Sequence, residues 1–394
     1  MHTLLFFHAS AELYGSDRTL LELVRRLDRA RWRPVVALPR RGPLARELES
    51  AGVAVEIGPV GTFGRATLRP RGLLRAAHDL PESIAWARWL IRAQQASLVH
   101  TNTAVVLSGA LAARAESVPH VWHVHEILER PRLVAGLLAR TVSGLSQRVV
   151  CNSHATAANL SALFPPVAER CRVVHNGIPD FTRTPARAAA RAALGIDPGD
   201  ECVALVGRIN HWKGQGLLLD ACARLRARHP RLRLLFCGDA PPGQPALLEA
   251  LEARIAHSTL AERVLRLGFR EDVEQVYAAA DVVCVPSTLP EPFGLVAAEA
   301  MALERPVVAA AHGGLPEIVV EGETGLLVPP RDPEALARAI GSLLDDPARA
   351  AALGRAGRAR QREHFSLESH VRALEALYAE LLPRALRVEE RVAA

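Results

Sequence analysis

Two short stretches of the sequence carry charged side chains in an order that suits a diphosphate. The first is GRINHWKG (207–214), which holds Arg208 and Lys213, the one lysine in a chain with 48 basic residues. Arginine grips a phosphate with two parallel hydrogen bonds, whereas lysine brings a compact charge that reaches between two phosphates. A glycine-containing turn and a predicted helix start follow, and free amides there also bind phosphate. The stretch predicts an anion site; the alternative is that one lysine stands here by chance.

The second stretch is EPFGLVAAE (291–299), which spaces two carboxylates across a predicted turn and helix start. Its Pro and Gly indicate the turn, so Glu291 belongs to the loop and Glu299 to the second helical turn. A phosphate at the amides near Gly294 and Leu295 would then lie between the carboxylates. One carboxylate suits a sugar hydroxyl and the other a ribose diol. The alternative for Glu299 is a capping or solvated residue.

Two further stretches precede these in the chain. WHVHE places His123 and His125 on one face if the segment is extended, because strand side chains alternate. They are a metal-ligand pair, two buried structural residues, or part of an active site; for a metal, no convincing third and fourth ligands follow in order. YGSD places Tyr14 and Gly15 after the first apolar run, where they line a binding loop or simply turn the chain into a helix.

Short apolar runs alternate with longer helical patterns along the whole chain. The predicted strands are 3–9, 34–39, 98–102, 120–125, 148–153, 172–177, 202–208, 232–238, 264–269, 281–287 and 306–311. Such alternation is typical of parallel sheets covered by helices, and one sheet of this size would be unusual, so we expect two Rossmann-like domains.

The boundary between these domains is expected in a Pro-, Arg- and Gly-containing stretch near 179–200. The predicted domains are 1–178 and 179–363. Residues 364–394 are expected to form an amphipathic helix that begins after Ser366 and packs back on the first domain.

The composition excludes several protein classes. A chain of 394 residues with 49% hydrophobic and 23% charged residues is globular rather than disordered, collagenous or coiled-coil. Its net charge of +6 is spread along helical stretches without a basic block, so no nucleic-acid partner is expected. Six cysteines without a CxxC motif indicate a reducing compartment. Without a signal-like start or a long apolar run, we expect a cytoplasmic protein, or one peripheral at the inner face of the membrane.

The segment 69–95 mixes arginines with tryptophans and leucines. This mixture suits an interfacial helix on anionic lipid, and Pro81 is expected to break or restart that helix. The alternative is that Trp86 and Leu90, four residues apart, pack an ordinary helix onto the first sheet.

The ordered set GRINHWKG, FCGD, LGF, EPFGLVAAE and HGGLPEIVVEGETGLLVPPRD closely resembles the donor domain of family 4 glycosyltransferases. The two glutamates match the EX7E motif of that family. YGSDRTLLEL, HTNT, HVHE, CNSHA and HNGIP in the N-terminal half resemble it more loosely, so the resemblance covers nearly the whole chain.

This resemblance implies an α/β protein of the GT-B fold, with two Rossmann-like domains facing a central cleft. It further implies a retaining enzyme that moves a hexosyl group from a UDP- or GDP-sugar to an acceptor hydroxyl. The acceptor would be a sugar, a lipid-linked molecule or a polysaccharide. Neither a metal nor another cofactor is expected. The rival interpretations are a nucleotide-sugar epimerase and a non-catalytic sugar-nucleotide-binding protein, although the EX7E match and the intact charged set count against them.

The resemblance also assigns roles by position. The expected catalytic residues are His125, Arg208, Lys213 and Glu291. The expected donor-binding residues are Gly15, Gly207, Arg208, Lys213, Gly238, Arg270, Glu291, Phe293, Gly294, Leu295, Val296 and Glu299. The expected acceptor-side residues are Tyr14, Gly15, Asn102 and His123. Family members often have two adjacent glycines where this chain has Tyr14-Gly15, so this loop departs from the family pattern.

Overall fold

The computed structural model describes residues 1–63, 67, 70–129, 131–181, 184–241 and 243–382. The chain forms two units. Unit 1 contains Met1–Gly177 and the segment that starts at Leu367, and unit 2 contains Ile178–Ser366. The sequence analysis placed these boundaries after residues 178 and 363.

Unit 1 is built on a parallel sheet of seven strands within the described residues, in the order β3-β2-β1-β4-β5-β6-β7. The strands are β1 His2–Phe7, β2 Trp32–Leu38, β3 Ala54–Ile57, β4 Ala96–Thr101, β5 His120–Val124, β6 Arg148–Cys151 and β7 Cys171–Val173. Helices cover both faces of a parallel sheet, which explains why runs such as LLFF in β1 are apolar without alternation.

The helices of unit 1 lie on two sides of that sheet. They are α1 Gly15–Arg26, α2 Pro43–Ser50, α3 Pro70–Ala93, α4 Ser108–Ala115, α5 Arg132–Leu145 and α6 His154–Leu163, with a 3-10 helix at Pro165–Arg170. Leu4 and Phe6 of β1 pack with α1 and α2, whereas Leu5 and Phe7 pack with α3 and α4. Right-handed crossovers place α3, α4 and α5 side by side on the second face.

Unit 2 is built on a second parallel sheet, of six strands within the described residues, in the order β10-β9-β8-β11-β12-β13. The strands are β8 Glu201–Val206, β9 Leu232–Cys237, β10 Val264–Gly268, β11 Val282–Val285, β12 Val307–Ala310 and β13 Leu326–Val328. The helices are α7 Arg187–Ala193, α8 Gln215–Leu225, α9 Pro245–Ala256, α10 Val273–Ala279, α11 Leu295–Ala302, α12 Leu315–Ile318, α13 Pro333–Asp345 and α14 Pro347–His364, with a 3-10 helix at Ala261–Arg263.

The last described helix, α15 (Leu367–Leu381), belongs to unit 1 although it follows unit 2 in the chain. It packs beside α1, and its Tyr378 is fully buried. The Tyr378 hydroxyl lies 2.9 Å from Nδ1 of His100 in β4, and its ring lies edge-on to Trp32, with the centroids 6.0 Å apart. The core of unit 1 therefore includes side chains from both ends of the sequence. Residues 383–394, the rest of the expected helix segment, lie outside the described residues.

Each sheet has one point where the order of its strands reverses, between β1 and β4 in unit 1 and between β8 and β11 in unit 2. Loops on either side of such a point diverge and leave a crevice outside the carboxyl ends of the strands, where doubly wound proteins bind ligands. The topology therefore directs attention to the residues that directly follow these four strands.

The prediction that Pro81 breaks the helix of segment 69–95 was wrong. α3 continues through Pro81, and the Ser83 hydroxyl donates to the Asp79 carbonyl at 2.9 Å. A proline inside a helix costs about 3 kcal/mol. Burial of Leu90, and of Ala87 and Ile91 around it, offsets that cost. Arg69 lies outside the described residues.

The same helix is bound to its neighbours along much of its length. Trp86 and Leu90 pack onto the first sheet, as the second interpretation of this segment expected. Arg88 and Arg92 both donate to the Glu116 carboxylate, with N–O distances of 2.7 Å. Among the described residues, helices that are long and apolar enough to cross a membrane are absent.

Candidate functional site

The loop after β8 carries the lone lysine. The Asn210 side-chain oxygen accepts the backbone N–H groups of Trp212 at 3.1 Å and Lys213 at 2.8 Å, which closes a tight turn. Gly214 follows with φ of +84° as the N-cap of α8, and a Cβ there would lie 2.2 Å from the Pro286 carbonyl oxygen. Glycine is needed for both reasons, and it lets this loop press against the loop after β11.

Lys213 and Glu291, which the sequence analysis gave separate roles, form an ion pair. Nζ of Lys213 lies 2.6 Å from Oε1 of Glu291, and the Ser287 hydroxyl donates to the same oxygen at 2.5 Å. Glu291 is 4% exposed, and the Lys213 ammonium also lies 4.4 Å from the centroid of the Trp212 ring. Because both donors use Oε1, Oε2 is the oxygen of Glu291 that can accept a hydrogen bond from a hydroxyl.

The loop after β12 supports Glu291 from its backbone side. The Gly314 N–H donates to the Glu291 carbonyl at 2.8 Å. Gly313 has φ of +62°, and a Cβ on it would lie 2.3 Å from that same carbonyl oxygen. Nε2 of His312 lies 2.8 Å from the Ser287 carbonyl oxygen. The HGG sequence thus fixes the segment that holds Glu291, a role that the sequence analysis did not give it.

The start of α11 matches the predicted turn. Gly294 is the N-cap with φ of +112°, and Leu295 and Val296 are the first residues of the helix, so their amides lie in its first turn. Glu299 is half-buried in the second turn, and its Oε2 accepts a hydrogen bond of 2.7 Å from the buried Tyr277 hydroxyl. Glu299 is therefore positioned by a partner, which differs from the solvated residue of the alternative interpretation. Phe293 is buried against Phe365.

Two more expected donor residues lie beyond β9 and β10. Gly238 has φ of +130°, and a Cβ there would lie 2.2 Å from the Gly207 carbonyl oxygen, so the loops after β8 and β9 touch at two glycines. Arg270 binds Asp272 through two hydrogen bonds of 2.9 and 2.7 Å, and these bonds raise the pKa of the Arg270 guanidinium. Arg208 directly follows Gly207, and its carbonyl accepts the Gln215 side chain at 2.9 Å.

In unit 1, polar side chains that follow β1, β4 and β5 are joined by hydrogen bonds. Oδ1 of Asp17 lies 2.6 Å from Nε2 of His8, and Nδ1 of His8 lies 3.2 Å from the side-chain nitrogen of Asn102. Oδ1 of Asn102 in turn lies 3.0 Å from Nε2 of His125. The expected residues Asn102 and His125 are thus brought together, and His8 and Asp17 join them. Tyr14 is the N-cap of α1, and its N–H donates to Asp17 at 2.9 Å.

His123 and His125 lie on one face, as the alternation predicts, and their ring centroids are 3.9 Å apart. His123 is 1% exposed. Burial lowers the pKa of His123 well below its usual value and lowers the pKa of His125 to about 3, so both rings are neutral at pH 7. Within the described residues, these two rings belong to no group of three or more possible metal ligands. The metal interpretation of this pair therefore gains no support.

Sequence reasoning missed the side chains that hold the expected site residues, namely Ser287, Tyr277, His8 and Asp17. For two of these residues, the sequence contains a feature that could have identified them. Ser287 and His8 are polar residues at the end of an apolar strand run, on the edge of the sheet where ligands bind. Tyr277 and Asp17 lie inside helices, and their sequence positions resemble those of any other helical residue.

Comparisons with known proteins bear on both units. The family model described as glycosyltransferase family 4 matches residues 14–180, and the model described as glycosyl transferases group 1 matches residues 186–360. The first range covers most of unit 1 and ends three residues into unit 2, and the second lies within unit 2. Together they include every expected site residue.

Two relatives carry the description D-inositol 3-phosphate glycosyltransferase. The protein of Mycobacterium sp. strain KMS is 39% identical over 290 residues, which cover 69% of this chain. The chain spans 62% of the length of that relative. The protein of Kineococcus radiotolerans is 34% identical over 354 residues, which cover 84% of this chain and 77% of the relative.

Among solved structures, Anabaena HepE in complex with UDP-glucose superposes with a TM-score of 0.84 at 28% identity. The match covers 97% of this chain and all of that protein. Sucrose-phosphate synthase from Thermosynechococcus elongatus superposes with a TM-score of 0.78 at 26% identity, over 97% of this chain and 99% of that one. These matches confirm the predicted GT-B fold class.

Proposed function

The chain belongs to glycosyltransferase family 4, and from that premise we propose that it is a retaining glycosyltransferase. It moves a hexosyl group from a nucleoside-diphosphate sugar to an acceptor hydroxyl. The observation that carries the proposal is the arrangement at one oxygen of Glu291, where Lys213 and Ser287 meet. This arrangement joins a cation for a phosphate to a carboxylate for a sugar, next to the start of α11.

The reaction develops negative charge on the departing diphosphate, so catalysis needs positive charge fixed in place beforehand. Arg208, Lys213 and the amides at the start of α11 supply it, the last through the positive end of the helix dipole. Glu291 accepts a hydroxyl of the transferred sugar at Oε2. Glu299 holds the ribose diol, with Oε2 already bound to the Tyr277 hydroxyl.

No carboxylate acts as a covalent nucleophile in this proposal. A retaining glycosidase needs one about 5–5.5 Å from its acid partner, whereas Glu291 is bound to Lys213 and serves in binding. The departing phosphate takes the acceptor proton instead, on the same face of the sugar. The charge of Arg208 and Lys213 takes the place that a metal has in other transferases, so the reaction proceeds without one.

We propose UDP-glucose as the first donor to test, because HepE, which resembles this chain along its whole length, was solved with that molecule. The acceptor offers a sugar or polyol hydroxyl. The relatives named D-inositol 3-phosphate glycosyltransferases support a phosphorylated polyol, which joins lipid-linked and polysaccharide acceptors as a candidate.

The first test is donor binding followed by turnover. A donor at 100 times its dissociation constant should stabilise the protein by about 2.7 kcal/mol, seen as a rise in Tm. With UDP- and GDP-sugars compared side by side, the preferred donor should then release its nucleoside diphosphate when an acceptor is added, in the presence of EDTA.

Each part of this test has an outcome that contradicts it. Sugar interconversion without release of the nucleoside diphosphate would identify an epimerase. Donor binding without turnover on any acceptor class would identify a binding protein. An absolute requirement for added Mn or Mg would contradict the role given to Arg208 and Lys213.

We also propose that unit 1 contacts anionic membranes peripherally, through the part of segment 69–95 that remains exposed. Arg88 and Arg92 are bound to Glu116, which compensates part of their charge, although both side chains remain partly exposed. Leu74 and Trp89 are 73% and 58% exposed. Exposed apolar side chains next to arginines suit the boundary between headgroups and acyl chains. Leu133 and Leu137 of α5 are exposed as well.

Binding to vesicles rich in anionic lipid is expected at low salt and should weaken at high salt, because the Debye length shrinks. The double variant Arg71→Glu with Arg75→Glu should abolish it, since each basic residue near such a surface contributes about 1 kcal/mol. The variant Arg349→Glu with Arg355→Glu, exposed on α14, changes the net charge equally and should still bind. The proposed contact would be ruled out if the wild-type protein failed to co-sediment with these vesicles at low salt. It would also be ruled out if the two double variants bound them equally.

A further inference from the structure

The hydrogen-bonded series that joins Asp17, His8, Asn102 and His125 has only one consistent arrangement of protons. We propose that Asp17, acting through His8 and Asn102, keeps the proton of the His125 ring on Nε2, so that His125 meets the substrate with an acceptor nitrogen, Nδ1. His125 then accepts a hydrogen bond from a substrate hydroxyl. This inference rests on the proposed function for the identity of the substrate, but the position of the proton can be tested without it.

Asp17 determines which atom donates in each hydrogen bond of the series. Its Oδ2 accepts the Tyr14 backbone N–H at 2.9 Å, and its Oδ1 lies 2.6 Å from Nε2 of His8. A carboxylate accepts hydrogen bonds and donates none, so Nε2 of His8 carries a proton. His8 and Asp17 are 1% and 2% exposed, so the bond is shielded from water.

The Ser16 carbonyl oxygen fixes the orientation of the Asn102 amide. The Asn102 side-chain nitrogen lies 3.4 Å from that oxygen and 3.2 Å from Nδ1 of His8. A backbone carbonyl can only accept, so the NH₂ group of Asn102 must face it, because the opposite orientation would bring two oxygens together. The second N–H of Asn102 then donates to Nδ1 of His8, so that nitrogen acts as an acceptor.

His125 is the end of the series. Oδ1 of Asn102 accepts, and it lies 3.0 Å from Nε2 of His125, so that nitrogen carries the proton. Burial lowers the pKa of His125 to about 3, so a second proton is absent at neutral pH. The lone pair of the ring is therefore on Nδ1.

An acceptor nitrogen selects its partner by chemistry. It attracts the O–H group of a sugar and repels the oxygens of a phosphate or a carboxylate, which offer lone pairs themselves. His125 therefore recognises a hydroxyl of the donor sugar or of the acceptor rather than a phosphate oxygen. Asp17, His8 and Asn102 act through His125, so they are positioning residues.

The variant Asp17→Asn tests the series because its new amide can take only one orientation. The Tyr14 N–H calls for the amide oxygen, so the NH₂ group must face Nε2 of His8 and donate to it. His8 then keeps its proton on Nδ1, 3.2 Å from the Asn102 side chain. The Asn102 amide turns over to accept that proton and gives up its longer contact of 3.4 Å with the Ser16 carbonyl, so the proton of His125 moves to Nδ1. An Asp→Asn change of this kind keeps the geometry of an Asp–His pair but reverses the tautomer.

The measurement is the nitrogen NMR spectrum of the ligand-free protein with ¹⁵N-labelled histidine, in which the two tautomers give different ring patterns. The variant His125→Gln assigns the His125 signals. The wild-type protein should have the Nε2–H form of His125, Asp17→Asn should have the Nδ1–H form, and the control Asp28→Asn, on an exposed loop, should match the wild type.

A wild-type His125 with its proton on Nδ1, or a tautomer unchanged in Asp17→Asn, would overturn the proposal whatever the protein catalyses. With a working donor and acceptor, Asp17→Asn should also lower kcat by at least about tenfold, the effect of losing one hydrogen bond in the transition state. Its Tm should stay near that of the wild type. An unchanged kcat with a reversed tautomer would overturn the contact between His125 and the substrate, while leaving glycosyl transfer by the wild-type protein intact.

Discussion

Replacement of Lys213 by alanine is expected to reduce turnover by about 10²–10³, the loss that follows removal of one charged or polar group at a developing negative charge. Two reasons account for so large an effect. In the proposed mechanism the donor diphosphate loses its compact cation, and the buried Glu291 loses the ammonium that lies 2.6 Å from its Oε1. Both a weaker donor affinity and a lower kcat should therefore appear, measured by calorimetric titration with the donor and by release of nucleoside diphosphate.

The variant Lys213→Arg separates charge from shape. Arginine keeps the charge, but its planar fork cannot reproduce the compact ammonium that lies 4.4 Å from the centroid of the Trp212 ring and 2.6 Å from the Glu291 carboxylate. We therefore expect only partial recovery. The exposed Arg349→Ala, which also removes one positive charge from unit 2, serves as the control and should behave as the wild type. Full activity in Lys213→Arg would mean that the position needs only a positive charge.

A methyl group added at Gly313 is expected to cost at least about tenfold in kcat, because it would displace Glu291. The new Cβ would lie 2.3 Å from the carbonyl oxygen of Glu291 and 2.6 Å from its backbone nitrogen, so the loop must move. A displacement of about 1 Å at a reacting centre can cost about 10² in rate. Gly313→Ala should lower kcat while the Tm falls only by the amount that backbone strain accounts for.

The matched control is Gly322→Ala. Gly322 has φ of +73°, close to the +62° of Gly313, but a Cβ there would have no neighbour within 4 Å. Both variants force an L-residue into the left-handed region, at roughly 1–2 kcal/mol each. Only Gly313→Ala should lose activity. Equal activities in two variants of equal Tm would show that the HGG segment plays no part in placing Glu291.

The elements of the fold that the sequence analysis identified are the central ones. All eleven predicted strands are present, whereas β3 (Ala54–Ile57) and β13 (Leu326–Val328) were not predicted. Both are edge strands of their sheets and are only four and three residues long. An edge strand packs less of its length against neighbours, so its sequence lacks the long apolar run that marks a central strand. The predicted break of α3 at Pro81 was wrong because it rested on local helix propensity. Propensity does not include the burial of side chains that stabilises α3 in the folded protein.

The site was predictable only where its residues are close in sequence. Glu291, Gly294 and Glu299 are fixed by one turn and one helix, so their spacing alone describes their geometry. The pairing of Lys213 with Glu291 joins residues 78 positions apart, and that of Asn102 with His8 joins residues 94 apart. Such pairs depend on which strands are neighbours in the sheet. The motif therefore identifies the site residues, whereas their hydrogen-bond partners follow only from the topology of the sheet.

The place of α15 in unit 1 has a consequence for the order in which the chain acquires its structure during synthesis. Unit 2 is one continuous segment, whereas unit 1 needs residues from before and after it. At about 5–20 residues per second, the ribosome spends roughly 10–40 s on unit 2 before it reaches Leu367. Throughout that interval Trp32 and the other residues of this core that pack with α15 lack that helix. The first half of this protein to be made is therefore the last to be finished.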